Sequence, residues 1–246
     1  MTFTLLALSA LALFAGGAVK GTSGVGIPLV SLTLLSLFLP LADAVALLPV
    51  PMVAANLWQS FAGGHFVPTL RRFWPLVLAM VAGTVAGANV LAGLDRSTLN
   101  LVVGTIVVLF CLNGFVHPTL RLAPRAERGA GVVAGAVGGF MGGLSALFGP
   151  PIIVYFASLG LDRETFVGTI SSIYLCCAVT LVVVFGSVGV MSGGQFVESI
   201  VACAPLLLGV WAGQWLRGRI REAVFRKVLL VVLLAVGARL IVTALV

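Results

Sequence analysis

The chain has 246 residues, of which 61% are apolar and 9% charged, and its mean hydropathy is +1.22. Soluble domains average roughly 45–50% apolar and about 25% charged residues, so this chain lacks the polar side chains to cover a water-facing surface. A soluble enzyme, a secreted disulfide scaffold and a disordered chain are excluded. The apolar runs are continuous rather than alternating, which excludes a barrel and predicts an all-α polytopic membrane protein. The net charge of +7 sits in short clusters between apolar runs, which predicts cytoplasmic loops and no nucleic-acid partner. Cys111, Cys176, Cys177 and Cys203 lie in apolar segments without CxxC or His spacing and read as small buried hydrophobes.

A helix needs about 20 residues to cross a hydrocarbon core of about 30 Å. Residues 3–19 form an apolar run, followed by a Gly-rich stretch with Gly16, Gly17, Gly21, Gly24 and Gly26. A short run, 28–39, then begins at Pro28 and ends at Pro40. The first twenty residues lack the basic n-region of a signal peptide. Full-length segments follow at 43–61, 73–93 and 98–117. Residues 131–160 repeat the opening pattern: an apolar run, a Gly-rich break with Gly138, Gly139, Gly142, Gly143 and Gly149, then Pro150-Pro151 and a short run. Three more full segments close the chain at 164–186, 196–216 and 224–245.

The two halves align. At an offset of 122, Gly16, Gly17, Gly21, Ser23 and Pro28 fall on Gly138, Gly139, Gly143, Ser145 and Pro150. At an offset of 126, Gly83, Ala86 and Gly87 fall on Gly209, Ala212 and Gly213. This order predicts two repeats, 1–123 and 124–246, in one integrated transmembrane domain, each a broken helix pair followed by three full helices.

Topology follows from the basic residues. Arg71 and Arg72, then Arg121, Arg125 and Arg128, then Arg217, Arg219, Arg221, Arg226 and Lys227 are expected to form three cytoplasmic loops. The Asp162-Arg163-Glu164 loop joins that side, and both termini are expected outside, so the second repeat is inverted relative to the first.

Segments 28–39 and 150–160 hold 12 and 11 residues, so as helices they reach only about 16–18 Å and end inside the membrane. Irregular backbone at that depth is tolerated only where protein buries it or where it lines a wet cavity. Pro28 and Pro150 stand where helices would begin, which aims the amides of Ser23–Ile27 and Ser145–Gly149 at the protein centre as an anion site. Thr22, Ser23 and Ser145 add hydroxyls. The competing reading is that the glycines serve only close helix packing.

The segments FAGGAVKGTSGVGIPLV and GGFMGGLSALFGPPIIVYFASLGL resemble the sulfite exporter TauE/SafE family, also called the four-toluene-sulfonate uptake permease family. The resemblance covers essentially the whole chain. It implies a bacterial inner-membrane transporter of small sulfur-containing anions such as sulfite or organosulfonates, often an exporter, without a cofactor. By position its motif loops fall on Gly21, Thr22, Ser23, Gly24 and Pro28, and on Gly143, Leu144, Ser145, Ala146, Gly149 and Pro150, of which all but Pro28, Gly149 and Pro150 are candidate substrate-binding residues. The chain departs from the family pattern with Lys20 in the first loop and Ile27 where a further glycine is common, which leaves the substrate open.

Ionisable and polar groups in the spans supply further candidates. Lys20 either faces the substrate or snorkels to the cytoplasmic face. Arg239, seven residues from the C-terminus, either lines the pathway or snorkels outward. Asn56 and Gln59 share one helix face, and Asn56 is a candidate pathway residue. Asp43 and Glu198 read as outer-end groups, and His65 and His117 as interfacial ones with a lesser claim on a proton role. Trp58, Trp74, Trp211 and Trp215 read as interface or packing aromatics. No Ser/His/Asp spacing, Walker loop or metal cluster is evident, so the expected function is secondary transport by alternating access. A passive anion channel is the alternative. The coupling ion, direction and any homo-oligomer stay open.

Overall fold

The computed structural model describes residues 3–62, 64–116, 122–216 and 222–245. His117, Arg121, Arg217, Arg219 and Arg221 lie outside them. Among the described residues every regular element is a helix. The first half holds α1 (Phe3–Ser23), α2 (Ile27–Leu35), α3 (Leu41–Leu47), α4 (Pro49–Ala62), α5 (Phe66–Gly93) and α6 (Arg96–Val116). After a 3-10 turn (Pro124–Ala126) come α7 (Glu127–Ser145), α8 (Gly149–Ser158), α9 (Arg163–Ser187), α10 (Gly193–Leu216) and α11 (Glu222–Leu245).

Among the described residues, five stretches are long and apolar enough to cross a membrane: Thr4–Ser23, Leu41–Phe61, Phe66–Gly93, Glu164–Ser187 and Gly193–Leu216. The second of these is α3 and α4 running on as one span. Large apolar side chains such as Leu11, Leu78, Val133, Val201 and Leu208 point outward, a surface that suits lipid and not water. The four tryptophans are exposed as well. The chain is an all-α polytopic membrane protein.

Three boundaries differ from the sequence expectation. Helix α1 runs unbroken through Gly16, Gly17 and Gly21, and α7 through Gly138, Gly139, Gly142 and Gly143. The true breaks are only residues 24–26 and 146–148. A glycine inside a helix costs roughly 0.5–1 kcal/mol, which close packing can offset, so a Gly-rich run need not end a helix. The short helices start where the prolines predict, with Pro28 in the first turn of α2 and Pro150 and Pro151 in that of α8. Finally, α5 begins at Phe66 rather than at residue 73, so Arg71 and Arg72 are helical. Pro75 clashes with the carbonyl four residues back, and the helix bends there, with Phe73 at φ −110° and ψ 20°.

Glycine decides how the helices meet. A Cβ on Gly17 or Gly21 of α1 would lie closer than 3.0 Å to the backbone of Leu206 or Val210 in α10. In return, Gly209 and Gly213 of α10 receive the carbonyls of Phe14 and Ala18. The pair α5–α7 does the same: Gly83 and Gly87 receive Ala136 and Phe140, while Gly139 and Gly143 receive Met80 and Thr84. Each half thus lays its first helix against the second full segment of the other. Helices α6 and α11 pack together, as do α4 and α9. Lipid tails are as apolar as the side chains, so contact of this kind, and not hydrophobic exclusion, holds transmembrane helices together.

Polar contacts fix the ends. Asp162 caps α9 by accepting from Glu164 N–H at 3.1 Å and Thr165 N–H at 3.0 Å. Hydrogen bonds from Thr165 hold its carboxyl below the usual aspartate range, so the cap persists until pH falls below that range. Arg72 of α5 forms a two-pronged pair with Glu127 of α7, Nε to Oε1 at 3.0 Å and the second nitrogen to Oε2 at 3.2 Å.

Candidate functional site

The first break follows directly from α1. Lys20 sits one turn before it, and its side chain is 1% exposed, so it does not snorkel to either face. Its ammonium donates to Asn56 Oδ1 of α4 at 2.7 Å, to Gly24 O in the break at 3.2 Å and to Ser171 Oγ of α9 at 3.5 Å. Asn56 is equally buried, and its amide nitrogen donates to Met52 O at 2.7 Å, which turns Oδ1 toward the lysine. Ser171 donates its own hydrogen to Gln59 Oε1 at 2.9 Å, leaving a lone pair for Lys20. Three helices and one break therefore converge on a single cation. Every partner is a neutral oxygen.

That is an unusual place for an ammonium. A lysine at the centre of a membrane helix is disfavoured by roughly 2.5–3.5 kcal/mol on insertion scales. Buried charges are normally paired with the opposite charge, yet among the described residues the ion pair found is Arg72–Glu127, which does not involve Lys20. Neutral dipoles satisfy the three N–H groups but do not cancel the charge.

The second break is built differently. Ala146, fully buried, takes the left-handed conformation at φ 61°, and its N–H closes α7 on Gly142 O at 2.6 Å. Gly142 stands 122 residues after Lys20 in sequence, and the ring of Phe148 fills the space a side chain there would need. Phe148 in turn packs on Tyr174 of α9, ring centroids 5.8 Å apart. Tyr174 is 4% exposed, and its hydroxyl has no hydrogen-bond partner. It lies 3.7 Å from where a Cβ on Gly149 would stand, so it faces the first turn of α8. A buried hydroxyl without a partner costs about 1–3 kcal/mol, which marks the spot where a ligand oxygen would be welcome.

Helix α9 brings the two breaks together. Ser171 meets Lys20 beside the first break, and Tyr174 reaches the second. Residues three apart share a helix face and are separated by about 4.5 Å of rise. The positive ends of α2 and α8 face the same two breaks.

The remaining sequence candidates fall into three groups. Gly24 contributes its carbonyl to Lys20 and holds φ 86°, a conformation that glycine adopts without strain. Gly21 and Gly143 sit against helix backbone, as described above, and Leu144 is buried in the core. The hydroxyls expected to reach a common centre bond their own segments instead. Thr22 Oγ1 donates to Val19 O at 2.8 Å, Ser23 Oγ lies 2.8 Å from both Val19 O and Val25 O, and Ser145 Oγ donates to Met141 O at 2.8 Å. Serine and threonine hydroxyls routinely back-bond the preceding turn, which spacing along a sequence does not reveal. Arg239 does not join Lys20; it lines a separate cavity with Arg96 and Asn100. His65 packs against Gly168 near the start of α9.

Sequence reasoning left out Ser171 and Tyr174. Both lie in an apolar helix more than a hundred residues from Lys20, and only the hydroxyls of Thr169, Ser171 and Ser172 hinted at a polar face.

Nothing in this arrangement assembles a nucleophile with a base, and no group of three His, Cys, Asp or Glu is placed for a metal among the described residues. Neither a curated protein nor a solved structure matches the chain. The family model of the sulfite exporter TauE/SafE family does, over residues 8–240. With that match spanning nearly all of its length, and with membrane helices meeting around a buried cation, the chain belongs to the sulfite exporter TauE/SafE family, a family of transporters.

Proposed function

We propose that the protein is a secondary transporter of a small sulfur-containing anion, sulfite or an organosulfonate, in a bacterial inner membrane. The observation that carries this is Lys20, a fully buried ammonium held by neutral oxygens from α1, α4 and α9. An arriving oxyanion supplies the missing negative charge. It takes the place of Ser171, whose contact at 3.5 Å is the longest of the three, and frees that hydroxyl to donate. The unpartnered Tyr174 hydroxyl, one turn along α9 from Ser171, donates as well. Residues 1–123 and 124–246 act as two inverted repeats around this site, and their rocking opens it to one face at a time. The exchange of first helices between halves, α1 onto α10 and α7 onto α5, supports that division.

The decisive experiment is counterflow in proteoliposomes. Vesicles preloaded with unlabelled sulfite should accumulate labelled sulfite transiently and saturably. Flux that never saturates and shows no counterflow would identify a channel instead. No sulfite flux, with flux of another anion, would move the substrate while keeping the mechanism.

Orientation has its own test. Single cysteines at Arg125 and Gly193, in a background with the four native cysteines replaced, should label from opposite faces of right-side-out vesicles. Labelling of both from one face would falsify the inverted arrangement.

A further inference from the structure

A second group of unpaired cations lies away from Lys20. An open cavity of about 590 Å³ is bordered by the turn Ser36–Leu41 between α2 and α3, the first turn of α6 and the last turns of α11. Arg96 and Asn100 stand four residues apart on one face of α6, and Arg239 and Thr243 four apart on α11. All four line the cavity, and no acidic residue does.

The polar groups there are poorly used by the protein. Neither guanidinium has a carboxylate partner among the described residues. Asp95, next to Arg96 in sequence, is committed to α6, accepting from Thr98 N–H at 3.0 Å and Thr98 Oγ1 at 2.6 Å. Asn100 is 9% exposed and its amide makes no hydrogen bond within the described protein. Just below it the space closes: a Cβ on Gly104 would stand 2.8 Å from Gly237 O, so α6 and α11 touch there. The result is a pocket with a closed floor, an unpaired amide on its wall and two guanidiniums that can each present parallel N–H groups to one oxyanion.

We propose that this cavity binds a single oxyanion, either the free transported anion or the phosphate of an anionic lipid headgroup. The inference builds on the transport reading, because α2 leads from the Lys20 break to this turn. A transported anion held in this pocket would wait one short helix away from the Lys20 break. The pocket is separate from Lys20 in residues and in test.

The experiment uses the purified full chain in detergent, depleted of lipid, with sulfite and inorganic phosphate titrated calorimetrically. The background is Lys20→Met, which silences the buried site. One oxyanion should still bind, and Arg96→Gln with Arg239→Gln should weaken it at least ten-fold. Asn100→Leu, which leaves both cations in place, should weaken it less. In a second arm the protein is reconstituted in nanodiscs of phosphatidylcholine with phosphatidylglycerol and then re-extracted. Retention of phosphatidylglycerol by the parent, and its loss in the double arginine variant, would assign the pocket to lipid phosphate. If neither anion nor lipid distinguishes the folded double variant from its parent, the pocket is no binding site. Failure of the buried site instead shows as Lys20→Met matching the native protein in transport, whatever the arginines do.

Discussion

Replacing Lys20 by methionine should leave the protein folded and nearly as stable, yet weaken its affinity for sulfite by ten-fold to a hundred-fold. The two halves of this expectation come from different terms. Removing the ammonium relieves an insertion penalty of roughly 2.5–3.5 kcal/mol. It also leaves Asn56 Oδ1 without its donor at 2.7 Å, a buried loss of about 1–3 kcal/mol. These nearly cancel, so the melting temperature should move little. The anion has no such compensation: a hydrogen bond to a charged group contributes about 1.5–3 kcal/mol, and each 1.4 kcal/mol is a factor of ten. Lys20→Glu should abolish binding, because it sets a carboxylate against Gly24 O, Asn56 Oδ1 and the substrate at once. Calorimetric titration of sulfite, run beside thermal melts with and without the anion, checks both halves. A folded Lys20→Met protein with native affinity would reduce Lys20 to a staple of α1 onto α4 and α9, and loss of stability without loss of affinity would say the same.

How much of this could be read beforehand depends on how local the signal is. The spans were legible because about 20 apolar residues have few alternatives in a membrane protein. The starts of α2 and α8 were legible because Pro28 and Pro150 suit the first helical turn and little else nearby. Lys20 and Asn56 announced themselves as polar groups in apolar helices, but nothing in the sequence joined them. Their contact depends on α1 and α4 meeting α9, a matter of packing over 151 residues between Lys20 and Ser171. Tyr174 stayed hidden for the same reason: an aromatic residue in an apolar run looks like core, and only a missing hydrogen bond sets it apart.

Glycine was legible in position and ambiguous in meaning. Close approach of a ligand and close approach of a helix both demand the absence of a Cβ, so the order of glycines at offsets of 122 and 126 fits either. The structure separates the two. Gly24 holds a left-handed turn beside Lys20, whereas Gly21 and Gly143 meet backbone of another helix.

That separation predicts a second large effect. Gly21→Val and Gly143→Val should prevent a stable fold, because the obstructing atoms are the carbonyl of Val210 and that of Thr84, which cannot rotate away as a side chain would. The helices would have to part, and with them the contacts that join one half of the chain to the other. Even Gly21→Ala should cost about 1–3 kcal/mol, the usual range for overpacking, with backbone opposition favouring the upper end. Gly93→Ala and Gly186→Ala are the controls: nothing stands within 4 Å of a Cβ at either site, and alanine in a helix is favoured over glycine by roughly 0.5–1 kcal/mol. Thermal melts followed by size-exclusion chromatography in detergent should therefore rank the four positions by what opposes the Cβ, not by helix propensity. Should Gly21→Ala melt like the parent while sulfite affinity collapses, α1 would have room after all, and this glycine would be serving the substrate rather than α10.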